Sequence, residues 1–153
     1  MKKIEIFSQI PWAAREMDEA NRRVQINCKS ICAELKKQGV AYVSAGYNGG
    51  GDDGQIQDVS YIGTSGGLVE VDEKSRVNVI PDINKPNKVM SVSLGLGLDM
   101  LLSDGLVAGG QIGWENNCGG EGTMKLSVET QALEIEHYEP VETLTDPVFL
   151  KFF

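Results

Sequence analysis

Two glycine-rich stretches carry the side chains best suited to chemistry. The first, NGGGDDG, offers Asp52 and Asp53, with Tyr47 just before it and Gln55 just after; the second, WENNCGGEG, offers Trp114, Glu115, Asn116, Asn117 and Glu121. Carboxylate and carboxamide oxygens on adaptable loops are the hard ligands that Mg²⁺ or Ca²⁺ takes. The spacing argues against a dedicated cage. An EF-hand places acids at alternating positions and closes on a glutamate, whereas GGGDDGQIQD supplies only Asp52, Asp53 and Asp58. Glycine, asparagine and aspartate are also the residues that hairpin turns select for positive φ. The expectation is solvated turn carboxylates with no cofactor, and a Mg²⁺ or Ca²⁺ site is the alternative.

Other chemistries fit less well. Zinc would have to draw on Cys28, Cys32, Cys118 and His137, and no CxxC motif accompanies them. A lone histidine would have to serve any cysteine or serine nucleophile, and neither a nucleophile elbow nor an activating context surrounds Cys118. GLGL at Gly95 lacks the third glycine and the preceding βαβ context of a dinucleotide fingerprint. No catalytic residue is assigned.

The elements that must position these groups follow from periodicity. Between Pro11 and Gln38, Met17, Ala20, Val24, Cys28, Ile31 and Leu35 recur every three or four residues among charged ones, which predicts an amphipathic helix closed by Gly39. VAYVSAGY and QIQDVSYIG around the first glycine-rich loop predict a β-hairpin, and TMKLSV with ALEIEHY predicts another. Weaker strands are expected at Leu68–Val71 and Arg76–Ile80, paired with each other, and a loop at Pro81–Lys88. From Val89 the pattern fits both periods: Met90, Val92 and Leu94 alternate as in a strand, whereas Leu94, Leu98, Leu101, Leu102 and Leu106 suit a helix over Leu94–Val107. The order predicts an α+β fold, an antiparallel sheet of hairpins with a long N-terminal helix and a second helix packed on one face. Residues 1–140 are read as a single domain and 141–153 as a phenylalanine-rich tail.

Charge narrows the partners. A net charge of -8 and a pI near 4.6 oppose direct binding of nucleic acid, which rests on Lys and Arg neutralising phosphates. The three cysteines lack the spacing of a secreted disulfide scaffold, no signal peptide opens the chain, and no stretch suits a spanning helix, so a cytoplasmic protein is expected.

The two loops echo each other. YNGGGDDGQI and WENNCGGEGTM share an aromatic residue, a polar run, paired glycines, an acid and an apolar strand start. Duplication would explain this, and so would the ordinary demands of hairpin turns. Gly51, Asp52, Gly54 and Gln55 match a GDxGQ pattern, while Trp114, Glu115, Asn116, Asn117, Gly119 and Gly122 match WEN(N/D)xGxxG. On these residues the chain resembles a family of small uncharacterised bacterial and phage proteins, over roughly Ala13 to His137. The resemblance implies a compact α+β domain carried by mobile elements and no known activity. The stretch around Val71–Lys88 and the tail after Pro140 look peculiar to this chain.

The tail, TDPVFLKFF, holds three of the four phenylalanines, Phe152 and Phe153 among them. It is expected either to lie on its own core as a final strand or to join a homodimer or another protein. The functional expectation is a non-enzymatic acidic domain that binds a protein with a basic surface. In a phage it would inhibit a host defence protein such as a CRISPR effector. Apolar anchors would come from Tyr47, Trp114, Phe152 and Phe153, with carboxylates around them. A divalent-metal-dependent hydrolase or ligand-binding domain built on the two loops is the alternative.

Overall fold

The structure, a computed structural model, describes residues 11–49, 55–109, 121–138 and 148–151. Helix α1 (Pro11–Lys37) runs almost as its stripe predicts. Ala20, Val24, Cys28, Ile31 and Leu35 are all buried, so one helical face supplies a continuous side of the core. Its end is fixed by Gly39, whose φ of 86° only glycine adopts without strain, and by the Gly39 amide donating to the Lys36 carbonyl.

Strands β1 (Val40–Asn48) and β2 (Gln55–Gly63) form the first hairpin, and β5 (Glu121–Ser127) and β6 (Ala132–Tyr138) form the second. The hairpins join through an antiparallel β1–β5 pairing, and β7 (Val148–Lys151) adds to β6, giving the order β2-β1-β5-β6-β7. Part of the tail is thus a final strand on its own sheet; Phe152 and Phe153 lie outside the described residues. One register shift falls between Ser44 and Gly46, opposite Asp58, whose φ of 53° marks a bulge in β2.

Val43, Ala45, Tyr47, Met124, Leu126, Leu133 and Ile135 are buried on the sheet face that meets the helices, while the residues between them point the other way. Period-2 alternation of this kind is what a sheet covered on one side requires. Helix α2 (Leu94–Ala108) packs against α1. A Cβ at Gly105 would come within 2.5 Å of Leu133 Cδ2, so a side chain there would require the end of Leu133 to move.

The second expected strand pair is corrected. Strand β3 (Arg76–Val79) pairs with β4 (Met90–Ser93), not with Leu68–Val71, where only Leu68 makes an isolated bridge to Ile62. Val77 pairs directly with Val92, and both are buried together with Val79, whereas Leu68 is left exposed, so burial selects the more distant partner. The ambiguous stretch after Val89 resolves into both readings in succession, a four-residue strand followed directly by a helix.

Candidate binding surface

At one end of the large sheet Gln55, Asn48, Glu121 and Tyr138 stand side by side on four adjacent strands. Both glycine-rich stretches attach to this row, 50–54 between Asn48 and Gln55 and 110–120 ahead of Glu121. Sequence-distant loops are therefore anchored at neighbouring strand ends. Gln55 and Glu121 are exposed. Asp52, Asp53, Trp114, Glu115, Asn116 and Asn117 lie outside the described residues.

Tyr47 is corrected. It is 1% exposed and belongs to the core cluster, so it is not a surface anchor. It falls in phase with Val43 and Ala45, and that phase is the helix-facing one.

The opposite face of the sheet joins Glu121 of the second loop motif to residues that neither motif contains. On β5 and β6, Lys125 is paired to Glu134 and Thr123 to Glu136, and Glu121, paired to Tyr138, is next along β5 in the same phase. On β1, Tyr42 is 39% exposed, and Lys125 Nζ sits 4.5 Å from its ring centroid, a cation–π contact. Lys125 is the single basic residue on this face among the described side chains of β1, β2, β5 and β6. The sequence signal existed: Tyr42 is out of phase with the buried Val43, Ala45 and Tyr47, and an exposed aromatic beside acids is an anchor candidate.

Among the described residues, Cys28, Cys32 and Tyr61 are committed to structure. Cys28 and Cys32 are buried on α1 with their Sγ atoms 3.6 Å apart. The hydrogen bond to Cys32, together with burial, pushes the Cys28 thiol up, while the same bond holds Cys32 down. Cys118 lies outside the described residues and His137 is described only in its backbone, opposite Gly122. Burial and a 2.6 Å hydrogen bond to Glu73 push the Tyr61 hydroxyl up, making it a fixed donor. Among the described residues no three His, Cys, Asp or Glu side chains gather as a metal cage would need.

The N-terminus of α2, where GLGL invites a phosphate, is already occupied. The Leu94 amide donates to the Ser75 carbonyl, the Gly95 amide to the Glu73 carbonyl, and the Leu96 amide to the N-cap Ser93 Oγ. Three of the donors that an anion would use are spent on the chain itself.

Taken together these features define an α+β domain with helices on one side of an antiparallel sheet and, among the described side chains, a predominantly acidic face on the other. The chain belongs to a family of unknown function, DUF6878, whose profile matches residues 23–147. No curated protein and no solved structure matches it. The matched span includes Val71–Lys88 and continues past Pro140. Among the described residues no helix is long and apolar enough to cross a membrane.

Proposed function

We propose that this chain is a non-enzymatic binding domain that engages the basic surface of another protein through the open face of its large sheet. One observation carries the reading: Glu121, Glu134 and Glu136 are set on two paired strands around Lys125, beside the half-exposed ring of Tyr42. Fixed carboxylates on a rigid sheet steer and orient a cationic partner, and an aromatic at their edge supplies apolar contact. The overall charge of -8 adds long-range attraction for such a partner. In its narrower form the proposal is a phage or mobile-element inhibitor that covers the nucleic-acid groove of a host defence protein, such as a CRISPR effector, with carboxylates in place of phosphates. The reading of the loops as a metal-dependent hydrolase or ligand site keeps one supporting observation, the shared sheet end to which both loops attach.

The test is binding of a fluorescent lysine- and arginine-rich peptide to the wild type and to the E121K/E134K variant, with circular dichroism as the folding control. The charge reversal is expected to weaken binding at least about tenfold, the equivalent of roughly 1.4 kcal/mol. Equal affinity for the two proteins, or no binding to either, would overturn the proposal.

A further inference from the structure

The β3–β4 hairpin reverses the charge of the rest of the molecule. Residues 74–93 hold four of the 14 basic residues, Lys74, Arg76, Lys85 and Lys88, and only one of the 22 acidic ones, Asp82. Lys85 and Lys88 are exposed at the tip, and the next two residues, Val89 and Met90, are 58% and 41% exposed. Neither lysine joins an ion pair among the described residues. Two cations and two adjacent uncovered apolar side chains are the chemistry of a contact with an acidic surface that has an apolar component.

The tip is also held in place. Buried Asn27 on α1 grips the backbone of Ile80 at both ends: its Nδ2 donates to the Ile80 carbonyl at 3.0 Å, and its Oδ1 accepts from the Ile80 amide at 2.7 Å. Ser30 Oγ donates to the Asn78 carbonyl at 2.7 Å. Arg76 ties the paired strand by donating to Ser91 O and Ser91 Oγ. The bonds from Asn27 and Ser30 fix on α1 the end of β3 that leads into the loop, so little ordering of that strand is left for an encounter to impose.

We infer that the Lys85–Met90 tip seats on the acidic sheet face of a second copy of this chain. This inference rests on the proposed role of that face. Charge complementarity selects the occupant: Glu121 and Glu134 oppose Lys85 and Lys88, and the part of the half-exposed Tyr42 ring that Lys125 does not cover offers an apolar seat to Met90, a favourable sulfur–aromatic pairing. Seating on its own face is opposed by the hydrogen bonds that hold the hairpin to α1. Two copies of charge -8 repel at long range, yet the hairpin and the sheet face attract at contact. Screening separates these ranges, because the Debye length falls from about 30 Å at 0.01 M salt to about 10 Å at 0.1 M and about 3 Å at 1 M. Self-association should therefore be strongest near the middle value. A basic partner that outbids the hairpin would convert the assembly into a complex through the same face.

Sedimentation velocity tests this on the full chain. At roughly 0.1 M salt the wild type is expected to show a sedimentation coefficient that rises with concentration. K85E/K88E and E121K/E134K, each alone, are expected to sediment as monomers, and an equimolar mixture of the two is expected to associate. The mixture pairs the intact sheet face of the first variant with the intact hairpin of the second, so misfolding of either cannot produce the result. A wild type that stays monomeric, or association that survives K85E/K88E, would overturn the inference. A monomeric wild type whose peptide binding still falls in E121K/E134K removes only the second copy as occupant. Peptide binding unchanged by E121K/E134K removes the acidic-face reading itself.

Discussion

Tyr47 occupies the space that a side chain at Gly122 would need. The two residues are paired across β1 and β5, and a Cβ at Gly122 would lie 2.6 Å from the Tyr47 hydroxyl and closer still to the backbone carbonyl of Glu136 on β6. The last glycine of WENNCGGEG thus has a packing reason. It lets an aromatic ring of one strand lie over the backbone of its neighbour at the end of the sheet where both glycine-rich loops attach.

Replacing Gly122 by alanine is accordingly expected to destabilise the fold by about 3 kcal/mol or more, because a carbonyl in a strand ladder cannot swing aside as a side chain can. Adding Tyr47→Phe should not restore stability, since the Glu136 carbonyl remains in the way. Urea denaturation of the single and double variants measures both. A near-neutral Gly122→Ala would show that the strands part easily there.

How much of this was legible in the sequence differs by element. The α1 stripe from Ala20 to Leu35 repeats one short-range rule many times, and it is buried as read. The β3–β4 pairing was missed because Arg76–Val79 meets Met90–Ser93 across a ten-residue loop, and a nearer apolar stretch at Leu68 looked equally able to pair. Tyr47 looked available because it adjoins a polar loop, while its phase in β1 buries it. The acidic face stayed hidden for a different reason. Glu121 was singled out only as part of its loop, and Glu134 and Lys125 read as ordinary outward positions until the β5–β6 register placed them together.

Arg23 on α1 holds Asp104 on α2 with a forked contact: Nη2 lies 3.0 Å from Oδ1, and Nε lies 3.2 Å from both carboxylate oxygens. Burial nevertheless raises the Asp104 carboxyl above its ordinary value of 3.8, outweighing the lowering by Arg23. The folded chain keeps this proton to higher pH than the unfolded chain. The group therefore contributes fully to stability below pH 3.8 and loses that contribution as pH rises through the raised folded value. Arg23→Leu removes the lowering partner, so it should steepen the loss between acid and neutral pH, and Asp104→Asn should abolish this component. At neutral pH Arg23→Leu should cost about 1–3 kcal/mol, because it leaves the part-buried Asp104 carboxylate without its charged partner. R23L/D104L should recover most of that, since apolar side chains can replace such a pair without an uncompensated charge. Urea midpoints from acid to neutral pH provide the check, and a double variant as unstable as the sum of the singles would contradict it.

The shared anchoring of the two glycine-rich loops makes a divalent ion the decisive competitor to the binding reading, because Asp52, Asp53, Glu115 and Glu121 all belong to stretches that meet the row of Gln55, Asn48 and Glu121. The two readings differ in a property measurable without any substrate or partner. An ion that binds the folded state adds roughly 2.7 kcal/mol when present at about 100 times its dissociation constant, and in a domain of this size that raises the melting temperature by several degrees. For an acidic face that acts through its own carboxylates, EDTA-treated protein is expected to melt at the same temperature with and without Mg²⁺, Ca²⁺, Mn²⁺ or Zn²⁺. A shift abolished by Asp52→Ala and Glu115→Ala would transfer the function to the loops and make a metal-assisted reaction the reading to pursue. A shift that survives both substitutions but disappears in E121K/E134K would mean that the sheet face itself collects the ion, and the peptide competition would then have to be repeated with that ion present.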